Sequence, residues 1–254
     1  MHLPTSNNNV PLATGALGDK EVIKNIIGAL LLLVLLAWVS TLSTVQASPI
    51  DDIQFEGQVL EKVTPLWLAK VKVLHADKIS YLRKLATDNG LPEGTLATMA
   101  VVESMMGELN IKNKAGYEGW FQFGGYEQRM VGLNDPYNLY EAAPATIRLL
   151  RDYHRKAPAY GPAVRWEQRG MVDWYFLHQQ GYRGTGEHLK SIVNDTPLPR
   201  KIVVNTCHNV AKQYVPVLFG KGCKLNPGIT DHDLSLFLYR QWEYEMNRIW
   251  NAIK

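Results

Sequence analysis

Leu91-Pro92-Glu93-Gly94-Thr95-Leu96-Ala97-Thr98-Met99-Ala100-Val101-Val102-Glu103-Ser104-Met105-Met106-Gly107 is the stretch on which the fold turns. Leu96, Met99, Glu103 and Met106 stand at offsets of seven, four and three about Glu103, so the run predicts a helix with these four on one face. Glu103 is the one carboxylate on that apolar stripe. An acid in that setting loses hydration, which disfavours its charged form and suits it to donate a proton near neutral pH. A buried acid without a use is expensive.

Working outward, the chain reads as mainly α. A helix is predicted over Leu74 to Asp88, with Ile79, Leu82 and Leu85 or Ala86 inward and Gly90 beyond its end. After the Glu103 helix, Gly107, Gly116, Gly119, Gly124 and Gly125 mark an irregular stretch that permits sharp turns and close approach by another chain. Further helices are predicted over Leu139 to His154, Met171 to Gln179, Thr206 to Leu218 and Asp231 to Ile253. The last carries Leu234, Leu238, Trp242, Met246, Ile249, Trp250 and Ile253 as its apolar band, with Asp231 or Thr230 as its cap.

Upstream, no charged side chain occurs from Asn25 to Ile50, and the apolar run from Ile26 continues to Val45. As a helix this span suffices to cross a hydrocarbon layer, for which roughly 20 residues are needed. Lys20 and Lys24 precede it and Asp51, Asp52 and Glu56 follow it, which favours a cytoplasmic amino terminus and a domain outside. Val45-Gln46-Ala47 before Ser48 also reads as a cleavage site, so an uncleaved anchor and a cleaved export signal both stand beside a buried soluble helix. The expected organisation is a short cytoplasmic segment (1–24), the anchor or export signal (25–47), a linker (48–65), one main domain (66–228) and a C-terminal helix packed on it (229–254). The expected location is the inner membrane, single-pass, with the domain in the periplasm and the lipid bilayer as a partner through residues 26–46.

The formal charge of +3 is small for 254 residues and gives little support to a nucleic-acid role. Cys207 and Cys223 are the only cysteines. Export permits a disulfide between them, which closes a loop worth roughly 3 kcal/mol, and two separate buried thiols are the other reading. The spacing lacks the paired pattern of a zinc site, although His208 adjoins Cys207, and neither metal nor cofactor is expected.

Glu103-Ser104, followed by Ala115-Gly116-Tyr117-Glu118-Gly119-Trp120-Phe121-Gln122-Phe123, resembles the first two motifs of the lysozyme-like lytic transglycosylases, a helix-borne Glu-Ser and a downstream Gly-x-Phe-Gln. Trp174-Tyr175-Phe176-Leu177-His178-Gln179-Gln180-Gly181-Tyr182 is similar to the third motif of bacteriophage-encoded members. The resemblance covers roughly Leu66 to Val215 and implies a lysozyme-like globular domain, here preceded by a single transmembrane helix. It implies cleavage of the MurNAc-GlcNAc β-1,4 bond of peptidoglycan glycan strands with Glu103 as general acid and then base, forming 1,6-anhydroMurNAc ends. The muramic acetamido group and its own 6-hydroxyl take the place of the second carboxylate that hydrolases use.

On that resemblance the sugar is met by Ser104, Trp120, Phe121, Gln122, His178, Gln179, Gln180 and Tyr182. Gln122 is expected to bind an N-acetyl group or Glu103, the alternative being a turn-stabilising amide; Trp120 is a sugar platform or core filler. His178 reads as cleft architecture or a direct contact, Gln179 and Gln180 offer amides for hydroxyl and acetamido groups, and Tyr182 is expected to hold Glu103 or line a subsite. Glu108 and Glu118 are expected to face solvent, the alternative being a second carboxylate, since neither has a helical offset that fixes it opposite Glu103. A hydrolysing muramidase and a non-catalytic wall-binding protein are the rival readings. Virion or envelope-complex proteins, and a place in the virion, are the further expectations of the phage-like segment.

Overall fold

The computed structural model describes residues 50–254 apart from 56–59, 61, 110 and 158–168. These residues form nine helices and a small antiparallel ribbon. The helices are α1 (Pro65–Leu74), α2 (Ala76–Asp88), α3 (Thr95–Ser104), α4 (Gly125–Val131), α5 (Leu139–Lys156), α6 (Met171–Asn194), α7 (Arg200–Asn209), α8 (Val215–Leu218) and α9 (Asp231–Ile253). The ribbon pairs β1 (Phe219–Gly220) with β2 (Lys224–Leu225).

The helix bearing Glu103 is central. Residues Thr95 to Val101 are all buried, so α3 is enclosed on every side and not only along the stripe that its spacing predicts. It packs against α2, α6 and α9. The close approach of α9 depends on Gly94, because a Cβ there would lie 2.5 Å from the Trp250 ring and 2.7 Å from the Met171 sulfur.

Two apolar clusters share their helices. The larger unites Leu82, Leu96, Met99, Leu150 and Trp174 with Met246, Ile249 and Trp250 from the second half of α9. The smaller unites Phe176, Val203, Tyr214 and Leu218 with Leu234, Phe237 and Leu238 from its first half. The C-terminal helix is thus a spine through both clusters. It starts on a capping box in which the Thr230 hydroxyl accepts from the Asp233 N–H at 3.1 Å and the Asp233 carboxylate accepts from the Thr230 N–H at 2.8 Å.

Three departures from the predicted elements have local causes. Helix α1 escapes periodicity because Leu66, Val73 and Leu74 are exposed while Leu68 and Val71 are buried, which erases any one-sided pattern. Pro65 in its first turn and the Thr64 hydroxyl, which accepts from the Trp67 N–H at 3.0 Å, start it instead. The single helix expected over Thr206 to Leu218 is two, α7 and α8, since Pro216 fits only the first turn of a new helix. Helix α6 runs on past Gln179, because Gly181 takes φ 64° and ψ 175° and lets a second helical segment follow the kink.

The expected transmembrane helix is corrected. No helix of the described residues is long and apolar enough to cross a membrane. The two longest, of 24 and 23 residues, have the length, but ionisable side chains such as Asp173, Arg183, Glu187 and Lys190 in α6 and Arg240, Glu243 and Arg248 in α9 interrupt them. Residues 25–47, on which the anchor was expected, lie outside the described residues. The fold class is a mainly α domain with no membrane-crossing helix among the described residues, and the bilayer partner and the single-pass inner-membrane placement do not stand.

Candidate functional site

Glu103 is the penultimate residue of α3, just before the chain leaves the helix through Met105 and Met106, both at positive φ (51° and 55°), and Gly107 at 88°. That exit points the Glu103 side chain to the rim of a cavity of about 340 Å³, where it keeps 17% of its exposure. Burial lifts its carboxyl from the usual range to about 7, and a hydrogen bond from Tyr175 pulls the other way. Its place at the C-terminal end of a helix, the negative pole of the helix dipole, further disfavours the ionised form. Tyr175 is itself buried in α6, and its phenol is pushed well up by burial and by the neighbouring carboxylate.

The irregular stretch forms the opposite wall. Glu118 and Phe123 exchange backbone hydrogen bonds of 3.1 and 2.9 Å, closing a tight loop around Gly119 to Gln122. Gly119 has φ 82°, and a Cβ on it would stand 2.1 Å from the Pro136 carbonyl oxygen, so only glycine allows the loop to seat. Inside the loop the Gln122 amide donates to the carbonyls of Gly119 (3.0 Å) and Ile111 (3.3 Å) and accepts from Asn113 Nδ2 (3.0 Å). Gln122 therefore lines the cavity while its amide braces the turn.

His178 enters from α6. Its Nε2–H donates to the Phe121 carbonyl at 3.0 Å, and burial lowers the ring to about 4, so the imidazole is neutral at neutral pH. Gln179 stands beside it on the same cavity wall. Gln180 and Tyr182 line an adjoining cavity of about 290 Å³, which shares Tyr117, Glu127, Tyr153, His178 and Gln179 with the first. Tyr182 packs on Tyr153 with ring centroids 5.7 Å apart; the hydroxyl that holds Glu103 is that of Tyr175.

The remaining expected contacts lie inside the fold. Ser104 is fully buried, its hydroxyl donating to the Ala100 carbonyl at 3.1 Å and accepting from the Gly107 N–H at 3.0 Å. Phe121 is also fully buried. The Trp120 indole donates to the Tyr137 carbonyl at 3.0 Å and packs so closely on Gly107 that a Cβ there would meet its ring at 2.7 Å. That ring fills the core and offers no open face to the cavity. Cys207 and Cys223 are joined in a disulfide that ties α7 to the ribbon.

Neither downstream carboxylate expected to face solvent is idle. Glu118 accepts from Gln128 Nε2 at 2.9 Å and Tyr137 hydroxyl at 3.0 Å, and these bonds hold it below the usual carboxylate range. Glu108 accepts from the Trp67 indole at 3.2 Å. The carboxylate that does share the cavity with Glu103 is Glu127, in the first turn of α4, with Tyr153 hydroxyl 3.4 Å from its Oε1. Sequence spacing gave no sign of Glu127, nor of Tyr117, Asn113 or Tyr153, because the loop and α5 bring them in from separate elements.

No protein-family model, curated protein or solved structure matches the chain. The virion association and the virion or envelope-complex partners expected from the phage-like segment find no support in these comparisons and fall away with the membrane placement.

Proposed function

We propose that this protein is a peptidoglycan lytic transglycosylase that cleaves the MurNAc-GlcNAc β-1,4 bond with Glu103 as its single general acid and base. The observation that carries the reading is the Glu103 carboxyl, raised by burial to about 7 at the rim of a polar and aromatic cavity. At neutral pH such a group is present in both protonation states, as an acid that must later act as a base requires. Protonated Glu103 gives its proton to the glycosidic oxygen as the bond to the muramic anomeric carbon breaks. The resulting carboxylate then takes the proton of the muramic 6-hydroxyl as that oxygen bonds to the same carbon, leaving a 1,6-anhydro end. The resemblance of the three motifs supports the same chemistry.

A second reading, hydrolysis, is favoured by one observation: Glu127 lines the same cavity and offers a carboxylate to activate water. Mass analysis of glycan strands digested by the protein and by Glu103→Gln separates the two. Transglycosylation yields anhydro ends, lighter by one water than the reducing ends of hydrolysis. Intact strands after treatment with the parent protein would defeat both.

A further inference from the structure

The positive charge of this chain is concentrated in one stretch. Between Asp195 and Asp231 stand Arg200, Lys201, Lys212, Lys221 and Lys224 and no acidic residue, whereas the whole chain of 254 residues has a formal charge of only +3. All five cations are exposed, and none has an ion pair with a described residue. A partner of opposite sign would relieve the repulsion that the fold leaves among them.

Helix α7 and the ribbon form a braced body that carries these charges. Cys207 is bonded to Cys223 in the turn between β1 and β2, and Arg200 donates to the carbonyls of Cys223 and Gly222 at 2.6 and 2.7 Å. Arg200 and Cys207 lie about 10 Å apart along the helix axis, so the turn is tied to α7 from two levels. Lys221 and Lys224 flank the two residues that Arg200 grips, and Lys201 adjoins Arg200. Lys201 also lines a second cleft, of about 490 Å³, which α6, α7 and α9 wall beside the Glu103 cavity. None of the five cations lines the Glu103 cavity itself.

We propose that the surface of α7 and the ribbon binds a linear phosphate-linked polyol chain, whose successive phosphates meet Lys201, Lys221 and Lys224. Arg200 directs its fork to the two carbonyls, so the free charges are lysine ammonium groups, point charges that suit phosphate and lack the planar fork that favours carboxylate. Tyr214 and Phe219 are the only Tyr, Phe or Trp between Asp195 and Asp231, and both are buried, so the surface offers no such ring to a nucleic-acid base. Val217 is the one large apolar side chain of the stretch that is well exposed, which gives a lipid surface little to take in. A charged polymer with neither bases nor acyl chains matches what remains. This goes beyond the glycan-cleaving reading and does not depend on it.

The test titrates the full chain with poly(glycerol phosphate) and with oligothymidine of the same charge, at 50 and at about 200 mM salt. Three phosphate contacts are expected to weaken binding of the polyol polymer roughly tenfold between the two salt concentrations, through counterion release. Lys201→Gln, Lys221→Gln and Lys224→Gln combined are expected to weaken it about tenfold at low salt, with the thermal midpoint unchanged. Lys62→Gln, Lys70→Gln and Lys72→Gln combined remove the same charge from the chain at α1 and are expected to leave binding within about twofold. No binding by the parent, equal losses in the two triple variants, or oligothymidine binding as tightly as the polyol polymer overturns the proposal. The polymer titration repeated with Glu103→Gln is expected to be unchanged, so this surface and the cleavage reading stand or fall separately.

Discussion

His178 Nε2 stands 3.9 Å from a Glu103 carboxyl oxygen, yet its proton is directed to the Phe121 carbonyl 3.0 Å away. At 3.9 Å the pair is not hydrogen bonded, and a ring lowered to about 4 by burial carries no charge to form an ion pair at neutral pH. The imidazole instead links α6 to the loop that walls the cavity. His178→Asn, which can keep a donor in that place, is therefore expected to retain more than about a tenth of the parent kcat, whereas a general base would lose about 10²- to 10⁴-fold. Steady-state kinetics on glycan strands decides.

Burial of Glu103 also makes stability depend on pH. The folded carboxyl is held at about 7, above the value of 4.5 for a free side chain. Below about pH 4.5 both states keep the proton; between there and about 7 only the folded state does, so the contribution of Glu103 to stability falls as pH rises and levels off above 7. A shift of that size corresponds to about 3 kcal/mol. Glu103→Gln, which cannot ionise, is expected to gain about that much on the parent between pH 4.5 and pH 8. Urea unfolding of both proteins at the two pH values measures it, and a difference independent of pH would contradict the burial argument.

Tyr175 donates to the Glu103 carboxylate and so holds its pKa down against desolvation. Removing that hydroxyl in Tyr175→Phe is expected to raise the Glu103 pKa further. Since the protonated acid begins the reaction, the alkaline limb of kcat/KM should move to higher pH in the variant. A purely structural loss would lower the rate with the limb in place, so the pH profile distinguishes positioning from packing.

How far the sequence reveals this site follows from how local each signal is. Glu103, His178 and Gln179 were legible because each sits on a helix whose spacing or neighbours marked it, and all three meet at one cavity. Trp120 and Phe121 read either toward the sugar or as core; the partners of Trp120, Gly107 and the Tyr137 carbonyl, come from other segments and draw its ring inward, and Phe121 is fully buried. Tyr182 is expected to hold Glu103 or line a subsite, and Gly181 stands just before it. Its φ of 64° in fact kinks α6, and the tyrosine before the kink, not the one after it, reaches Glu103. Helix α9 was legible to within its cap because its apolar band is unbroken and Thr230 and Asp233 form the box that starts it. Helix α1 was not, since its exposed leucines blur the pattern.

Gly94, at the start of α3, lies against the Trp250 ring of α9, with room for no more than a hydrogen. Gly94→Ala places a methyl against the Trp250 ring and the Met171 sulfur, and the ring cannot yield without disturbing the larger cluster. The substitution is expected to destabilise by about 1–3 kcal/mol, as overpacking does. Because Gly94 sits at the start of the helix that carries Glu103 in its last turn, activity should fall with stability. A thermal midpoint equal to the parent's would contradict the contact.

The disulfide between Cys207 and Cys223 acts on one side of the molecule. With Cα atoms 5.8 Å apart it ties α7 to the turn between β1 and β2, and Arg200 adds bonds of 2.6 and 2.7 Å to the Cys223 and Gly222 carbonyls. Helix α7 carries Asn205 and Lys201 on the cleft wall, whereas Glu103 and its cavity are built from α3, α4, α5, α6 and the loop. Closing a loop of this length is worth about 3 kcal/mol, so Cys207→Ser with Cys223→Ser should lower unfolding stability by about that amount. The loosening should be local: hydrogen exchange is expected to quicken in α7 and the ribbon while α3 keeps its protection. Urea unfolding with and without reductant gives the total, and residue-resolved exchange gives its place. Uniform acceleration through α3 would mean that the tie supports the whole core and not the wall of the second cleft alone.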